Sequence, residues 1–300
     1  MKLLIFGDVV GKLGRAGVKH MLPIWREKFS PDVVVANVEN ILHGKGIGIK
    51  QINELKEAGV NIFTGGNHSV EGKDFAQILN DETAAITRPA NMRKDLPGRG
   101  AIVYDVKKKE VFTSEHFSDR VGASEPTKRG LSASEMENAN EVKLLTINLI
   151  GQVFMHQEYS SPFEAIDKIL AEHSDKTPFK ILDWHADATS EKSVMGWYLD
   201  GKVSAVFGTH THVPTADAKI LPNGTAFITD IGMTGAYNSV IGVEINPSIE
   251  RFKFNKKTPK NPVDSGPIEV NAIYLELGEN GKAVDIRHLR EIIPEDKIVA

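Results

Sequence analysis

The chain has 300 residues, of which 41% are hydrophobic and 25% are charged, with a formal net charge of −4 and no cysteine. These values describe an ordinary globular protein and predict one domain over residues 1–300 that buries a large core. The lack of cysteine excludes disulfides and thiolate metal sites, and the slightly acidic balance argues against a broad surface for polyanions.

No apolar run reaches the roughly 18 residues that a membrane-spanning helix needs. The apolar start Met1–Phe6 is too short for a signal peptide and lacks a cleavage pattern, so we interpret it as the first core strand. We expect a cytoplasmic protein that does not bind membranes.

Apolar, β-branched runs alternate with segments of helical period, which is typical of βαβ units around a buried sheet. The predicted strands are, in chain order, Leu3–Phe6, Val33–Ala36, Ile62–Thr64, Ala101–Tyr104, Leu144–Leu149, Phe179–Asp183, Val203–Phe207, Ala218–Leu221, Ala226–Thr229, Val270–Leu277 and Ala283–Leu289. The predicted helices are Val18–Phe29, Ile52–Ala58, Phe75–Leu79 and Phe163–Ala171. The fold class is therefore α/β.

The segment 106–142 is rich in Lys, Glu, Ser and Asn and has almost no large apolar residue after Phe117. Its composition predicts a surface insertion, with a lid over the site as the functional alternative. A second polar stretch, 255–265, is predicted to be an exposed loop.

The first three predicted strands each lead into polar residues of types that bind metals. Asp8 follows the first strand, Glu39 and Asn40 the second, and Asn67 and His68 the third. Open α/β sheets bind ligands at the carboxyl ends of their strands, so these side chains are expected to share one region. Glu39 could bridge two cations about 3.5 to 4 Å apart, and His68 could donate a proton to a leaving oxygen.

Three further histidines suit the same site. His210 and His212 are two residues apart, which in extended chain places both imidazoles on one face with Cα atoms about 6.6 Å apart. His185 follows the predicted strand Phe179–Asp183, and His43, in a glycine-rich loop, is a candidate for contact with the substrate.

Each of these positions also has a purely structural interpretation. Asp8 could cap a helix, and Glu39 and Asn40 could be a capping pair at the start of a loop. His185 could be a buried core histidine, and the pairs at 67–68 and 210–212 could be solvated loop residues. A dinucleotide fingerprint is a poorer match, since the glycines at 7, 11 and 14 lack its usual spacing. Taken together, however, carboxylates, amide oxygens and imidazoles at strand ends predict a two-metal site for a phosphate ester.

The same residues resemble a known family. The motifs that carry the resemblance are Gly7–Gly11, Glu39–Asn40 with His43–Gly46, Gly66–His68, Arg88–Asn91, His185–Lys192, Gly208–His212 and Asp230–Gly235. They resemble the calcineurin-like metallophosphoesterase superfamily and, within it, the YmdB-type bacterial phosphodiesterases, over nearly the whole chain apart from 106–142.

The resemblance implies a four-layer αββα sandwich with a small cap or insertion. It implies one metal held by Asp8, Glu39, Asn40 and His212, another held by Glu39, Asn67, His185 and His210, and His68 as the general acid. The ions would be divalent or mixed-valence, with iron or manganese first and zinc as an alternative. Val10 stands where many relatives carry a histidine ligand, and Asn40 is expected to fill that coordination position.

The predicted function is hydrolysis of cyclic nucleotides, 2',3'-cyclic or 3',5'-cyclic, by a hydroxide that bridges the two metals. One alternative is a regulatory protein that binds nucleotides or RNA ends with vestigial turnover; another is a phosphomonoesterase acting on phosphoproteins. Trp197 and Tyr198 are candidates for a base pocket or for the core. The sequence leaves the native metal, the cellular substrate and the formation of a homo-oligomer open.

Overall fold

Two six-stranded sheets form the centre of the molecule, which is described by a computed structural model over residues 1–107, 141–155, 159–173 and 175–298. The first sheet has the order β12-β11-β10-β1-β2-β3. Strands β10, β1, β2 and β3 are parallel, β11 is antiparallel to β10 and β1, and β12 is antiparallel to β11. Its strands are β1 (Lys2–Val9), β2 (Val33–Asn37), β3 (Ile62–Thr64), β10 (Met233–Ala236), β11 (Ile268–Leu277) and β12 (Ala283–Ile293).

The second sheet has the order β4-β5-β6-β7-β9-β8, in which β5, β6, β7 and β9 are parallel and the two edge strands are antiparallel. Its strands are β4 (Ala101–Lys107), β5 (Glu141–Ile150), β6 (Phe179–His185), β7 (Ala205–Thr209), β8 (Lys219–Ile220) and β9 (Ala226–Ile228).

Helices cover the outer face of each sheet. Helices α1 (Gly11–Phe29), α2 (Ile49–Ala58) and α3 (Phe75–Asn80) pack on the first sheet, and α4 (Pro162–His173) and α5 (Thr189–Tyr198) pack on the second. A further helix, α6 (Ile245–Phe254), exposes most of its apolar side chains, and a 3₁₀ turn lies at Glu295–Lys297. The central strands are nearly continuous apolar runs because both of their faces are buried. In β1, for example, Leu4 and Phe6 pack with α1 and α2, whereas Leu3 and Ile5 pack with the second sheet. The chain therefore has the predicted α/β fold, a four-layer αββα sandwich.

The carboxyl ends of the parallel strands of both sheets meet at one edge of the sandwich. Polar side chains cross between the sheets there: the Asn37 amide, at the end of β2, donates to Asp183 of β6 over 3.0 Å. The loops after β1, β2, β3, β6 and β7 consequently open onto a common region, which is the region that the sequence indicated.

The structure extends or corrects several predicted elements. Helix α1 begins at Gly11 rather than Val18, so Gly14 is a helix residue. A Cβ at Gly14 would lie 2.4 Å from the Thr234 carbonyl oxygen, so the glycine permits close packing of α1 on β10. Helices α5 and α6 and strand β10 were not predicted.

The predicted insertion 106–142 joins the paired strands β4 and β5, which meet at Lys107 and Glu141. Residues 108–140 lie outside the described ranges, and so does the predicted lid. Among the described residues, no helix combines the length and the apolar character that crossing a membrane would require.

Candidate metal centre

The seven residues predicted to bind metals lie together at the carboxyl edge. Asp8, Glu39, Asn40 and His185 are almost fully buried, and Asn67, His210 and His212 are partly buried. Their hydrogen bonds and ion pairs divide them into two groups that share Glu39.

The first group surrounds the Nε2 atom of His185. This atom lies 2.9 Å from Asn67 Oδ1, 3.0 Å from His210 Nδ1 and 3.4 Å from Glu39 Oε1. Ligand atoms of Glu39, His185 and His210 all lie within 4.8 Å of one another, as in a group able to hold a metal ion. Two imidazole nitrogens, an amide oxygen and a carboxylate suit manganese, iron or zinc.

The second group surrounds the Nε2 atom of His212. It lies 3.2 Å from Asn40 Nδ2 and 4.0 Å from Asp8 Oδ1, and Asn40 Nδ2 also donates to Glu39 Oε1 over 3.0 Å. The oxygen and nitrogen of the Asn40 amide occupy nearly equivalent positions in a planar group. Rotation of the amide by about 180° would therefore place Oδ1 where Nδ2 lies, so that the oxygen could bind a cation. Asp8 Oδ1 is buried without a hydrogen-bond partner among the described residues. An orphaned buried carboxylate oxygen is costly, and a cation would satisfy it.

Hydrogen bonds at Nδ1 fix the tautomers of two of the three histidines, His185 and His212. His185 Nδ1 lies 2.9 Å from the Thr209 hydroxyl, which itself donates to Asp183 Oδ1 over 2.7 Å, so His185 must donate from Nδ1. His212 Nδ1 likewise donates to the Ile241 carbonyl oxygen over 3.0 Å. Both rings therefore turn Nε2 toward the cluster, and Nε2 is the atom through which each would coordinate a cation.

Charge at the centre is set by burial and by close neighbours. Burial tends to raise the pKa of Glu39, but His185 and the His68 N–H outweigh it and hold the pKa below its usual range. Burial tends to lower the pKa of His185, but Glu39 and Asp8 raise it to about 9. The carboxylates that attract this proton would equally attract a divalent cation.

His210 lies at the same centre, but its pKa is lowered, whereas the pKa of His185 is raised. Burial and the nearby His185 lower the pKa of His210 to about 3. Its imidazole is therefore neutral at neutral pH, which is the form that coordinates metals.

The backbone of the His210–His212 loop is not extended, so the predicted geometry of this pair is wrong. β7 ends at Thr209, and both histidines have positive φ, 100° at His210 and 66° at His212. Residues other than glycine rarely adopt this conformation, and it persists where surrounding contacts impose it. Contacts with Lys192, Asp230 and Asp8 hold the chain in this bend at the end of the strand.

A buried ion pair holds this loop. Lys192 Nζ, on α5, donates to Asp230 Oδ2 over 2.5 Å and to the Thr209 carbonyl oxygen over 2.7 Å. Asp230 accepts the Thr211 N–H over 3.1 Å, and Asp8 Oδ2 accepts the N–H of His210 over 3.0 Å. The loop is thus fixed from both sides of the candidate centre.

Gly66 allows the third strand to approach the centre. A Cβ at this position would lie 2.2 Å from Glu39 Oε2 and 2.4 Å from His185 Nε2. Its N–H donates to the hydroxyl of buried Ser69 over 2.8 Å, so Ser69 orients this turn.

His68 lies beside the cluster rather than within it. Its N–H donates to Glu39 Oε2 over 2.8 Å, and its Nδ1 lies 2.7 Å from Glu71 Oε1. Glu71 therefore orients the ring and leaves Nε2 as the nitrogen that can face a substrate. His43 is exposed, and no hydrogen bond or ion pair among the described residues joins it to the cluster.

Sequence reasoning missed the residues behind the ligands. Asp183 accepts hydrogen bonds from Thr64, Asn37 and Thr209, and burial raises its pKa to about 6. The sequence contained a sign of this role, because Asp183 is an acidic residue within the otherwise largely apolar strand β6. Lys192 gave a weaker signal, since a lysine in an unpredicted helix reads as a surface residue.

The fold and the cluster define a two-sheet α/β sandwich with a candidate metal centre at the carboxyl ends of its strands. A family model described as YmdB-like protein matches residues 4–126 and 120–289. The chain belongs to the YmdB-like family.

Three relatives are similar over almost their whole length. A 2',3'-cyclic-nucleotide 2'-phosphodiesterase of Bacillus subtilis (strain 168) is 37% identical over 290 residues, covering 96% of each protein. The crystal structure of a novel phosphatase from Mycoplasma pneumoniae has a TM-score of 0.81 at 31% identity, covering 98% of this chain and 94% of that one. A hypothetical protein from Thermus thermophilus has a TM-score of 0.79 at 34% identity, covering 98% of this chain and 100% of that one.

Proposed function

We propose that this protein is a metal-dependent phosphodiesterase that hydrolyses cyclic nucleotides, with 2',3'-cyclic nucleotides as the first candidates. The observation that carries the proposal is the convergence of Asn67, His210 and Glu39 on one nitrogen of His185, beside the orphaned oxygen of Asp8. The name of the Bacillus subtilis relative supports the substrate class.

The residues divide into two ligand sets. Asp8, Glu39, Asn40 and His212 would hold one cation, and Glu39, Asn67, His185 and His210 the other. When bound, two such cations would activate water and offset the negative charge that develops on the phosphoryl group. With manganese or divalent iron the centre would carry about +2, given +4 from the ions and −2 from the carboxylates of Asp8 and Glu39, which suits an anionic ester.

The protein supplies orientation and a proton. Thr209 and Ile241 fix the ligand tautomers, and the ion pair of Lys192 and Asp230 holds the His210–His212 loop. His68, oriented by Glu71, would donate a proton from Nε2 to the departing ester oxygen.

The proposal is tested by metal removal and a substrate panel. Purified protein should contain about two metal ions per chain and hydrolyse adenosine 2',3'-cyclic phosphate. Chelation should abolish turnover and manganese should restore it. Hydrolysis that survives complete metal removal, or its absence with every metal tried, would contradict the proposal.

The same panel separates the alternative functions. A 3',5'-cyclic nucleotide and a bis-aryl phosphodiester examine other diesters, and a phosphoserine peptide examines monoester hydrolysis. Tight nucleotide binding without turnover would instead indicate a regulatory binding protein.

The change His68→Ala is expected to lower kcat for a cyclic nucleotide by roughly 100-fold while metal content stays near normal. The value of kcat should fall because the ribose oxygen is a poor leaving group that needs a proton. Metal content should persist because His68 is hydrogen-bonded to Glu39 through its backbone N–H, which the substitution retains. Steady-state kinetics together with elemental analysis measure both quantities.

A nitrophenyl phosphodiester provides the comparison for His68→Ala, because its leaving group departs without a proton and the loss should be smaller. Glu71→Gln should give a milder form of the same defect. Full activity of His68→Ala on the cyclic nucleotide would remove the assignment.

A further inference from the structure

An open cleft of about 550 Å³ adjoins the candidate metal centre and shares His212 with it. Small-molecule sites commonly have volumes of roughly 300 to 1,000 Å³. The cleft is therefore large enough for one nucleoside. The Ile241 carbonyl that fixes His212 belongs to the loop that lines this cleft, so the cleft and the centre are directly connected.

One wall of the cleft is apolar and aromatic although it faces solvent. Tyr237 is 41% exposed, Ile241 51% and Val213 57%. Val213 directly follows the candidate ligand His212. Aromatic faces beside a phosphate site bind nucleobases by stacking, with little preference among bases.

The polar side of the cleft carries no spare cation among its described residues. Arg290 Nε lies 2.7 Å from Glu269 Oε1, so the guanidinium is paired with a carboxylate. His288 donates from Nε2 to the Ile231 carbonyl oxygen over 2.9 Å. Such a surface can form hydrogen bonds with sugar hydroxyls and base edges. A second phosphate would find no unpaired positive charge there, and unpaired positive charge favours anion binding.

We propose that this cleft is the nucleoside subsite of the metal centre and that Tyr237 stacks on the base. The inference rests on the proposed function, since the phosphate of the same molecule would lie at the cations. Size and charge favour a single nucleotide over an RNA end, because a chain of nucleotides would bring further phosphates into a cleft without free cations.

The test compares two substrates that share one leaving group. Adenosine 2',3'-cyclic phosphate carries a base, whereas methyl riboside 2',3'-cyclic phosphate does not. Tyr237→Ala should reduce the ratio of their kcat/KM values roughly 10-fold. Tyr237→Phe, which keeps the ring, should preserve the ratio, and phosphorus NMR follows both reactions.

Trp197→Ala is the matched control. Trp197 is 57% exposed, but it lies near the end of α5, a helix that runs away from the carboxyl edge because it connects the parallel strands β6 and β7. Trp197 and Tyr198 are accordingly not part of this cleft: Tyr198 packs edge-on against Phe163 and donates its hydroxyl proton to Asp167. Removal of the Trp197 ring should leave the substrate ratio unchanged.

A ratio that Tyr237→Ala does not change would overturn the subsite. If the unaltered protein hydrolyses neither substrate with manganese, the proposed function fails, and calorimetry with adenosine 2',3'-cyclic phosphate still decides the subsite. Binding that weakens roughly 10-fold in Tyr237→Ala would support it. Equal affinities, or no binding by the unaltered protein, would reject it.

Discussion

Glu39→Gln is expected to leave the protein folded but unable to retain two cations. Glu39 is buried, and its two oxygens contact different groups: Oε1 faces His185 and Asn40, and Oε2 accepts the His68 N–H. Glutamine has the size of glutamate and keeps one acceptor oxygen. It removes one of the two negative charges that Asp8 and Glu39 would contribute, and its N–H groups would face the nitrogen and oxygen atoms expected to bind the cations. Removal of a residue that only hydrogen-bonds to a metal ligand lowers metal affinity by roughly 10-fold to 100-fold. Glu39→Gln alters a proposed ligand itself, so metal affinity should fall by at least roughly 100-fold.

The measurement is metal content after dialysis against a weak chelator, with circular dichroism to establish that the variant is folded. Glu71→Gln is the control, because it makes the same isosteric change next to His68 and outside both ligand sets. We expect Glu71→Gln to keep its metal. Two ions retained in folded Glu39→Gln would exclude Glu39 as the bridge.

Lys192→Met should destabilise the protein even when no metal is bound. The change leaves the Asp230 carboxylate buried without its cation, and removing one partner of a buried ion pair costs about 3 to 5 kcal/mol. For a chain of this length, this corresponds to a Tm lower by roughly 5 to 8 °C. Calorimetry on chelated protein measures this loss separately from any loss of metal binding.

The double variant Lys192→Met with Asp230→Asn separates charge from packing. It removes both charges, so part of the Tm should return. The return is incomplete, because the Thr211 N–H donates to Asp230 Oδ2 and the Gly232 N–H donates to Oδ1, and the amide of Asp230→Asn has one oxygen for these two donors. The exposed pair Lys168–Glu172, with its atoms 3.8 Å apart, is the control, because disrupting a surface pair costs less than about 1 kcal/mol. A Tm unchanged in Lys192→Met would show that the ion pair does not hold the loop.

The sequence determined where most of the strands lie along the chain and which residue types stand near their ends. Ile62–Thr64 is the clearest example, since its predicted and observed bounds agree. Both faces of such strands are buried, so most of their residues are apolar, and polar side chains become frequent where the strands end. For that reason Asp8, Glu39 and His185 could be selected from the sequence alone.

Only the tertiary structure decided how those donors are held and what lies beside them. The positive φ of His210 and His212 depends on Lys192 and Asp230, which lie on other elements. No local spacing rule contains contacts of this kind.

The cleft shows the same dependence on long-range packing. His288 has no strand-end setting in the sequence, and the pairing of β12 with β11 brings it near Tyr237 and the centre. Local patterns report which residues are buried or terminate a strand, whereas ligand tautomers, loop conformation and the shape of a cleft arise from contacts between segments far apart in the chain.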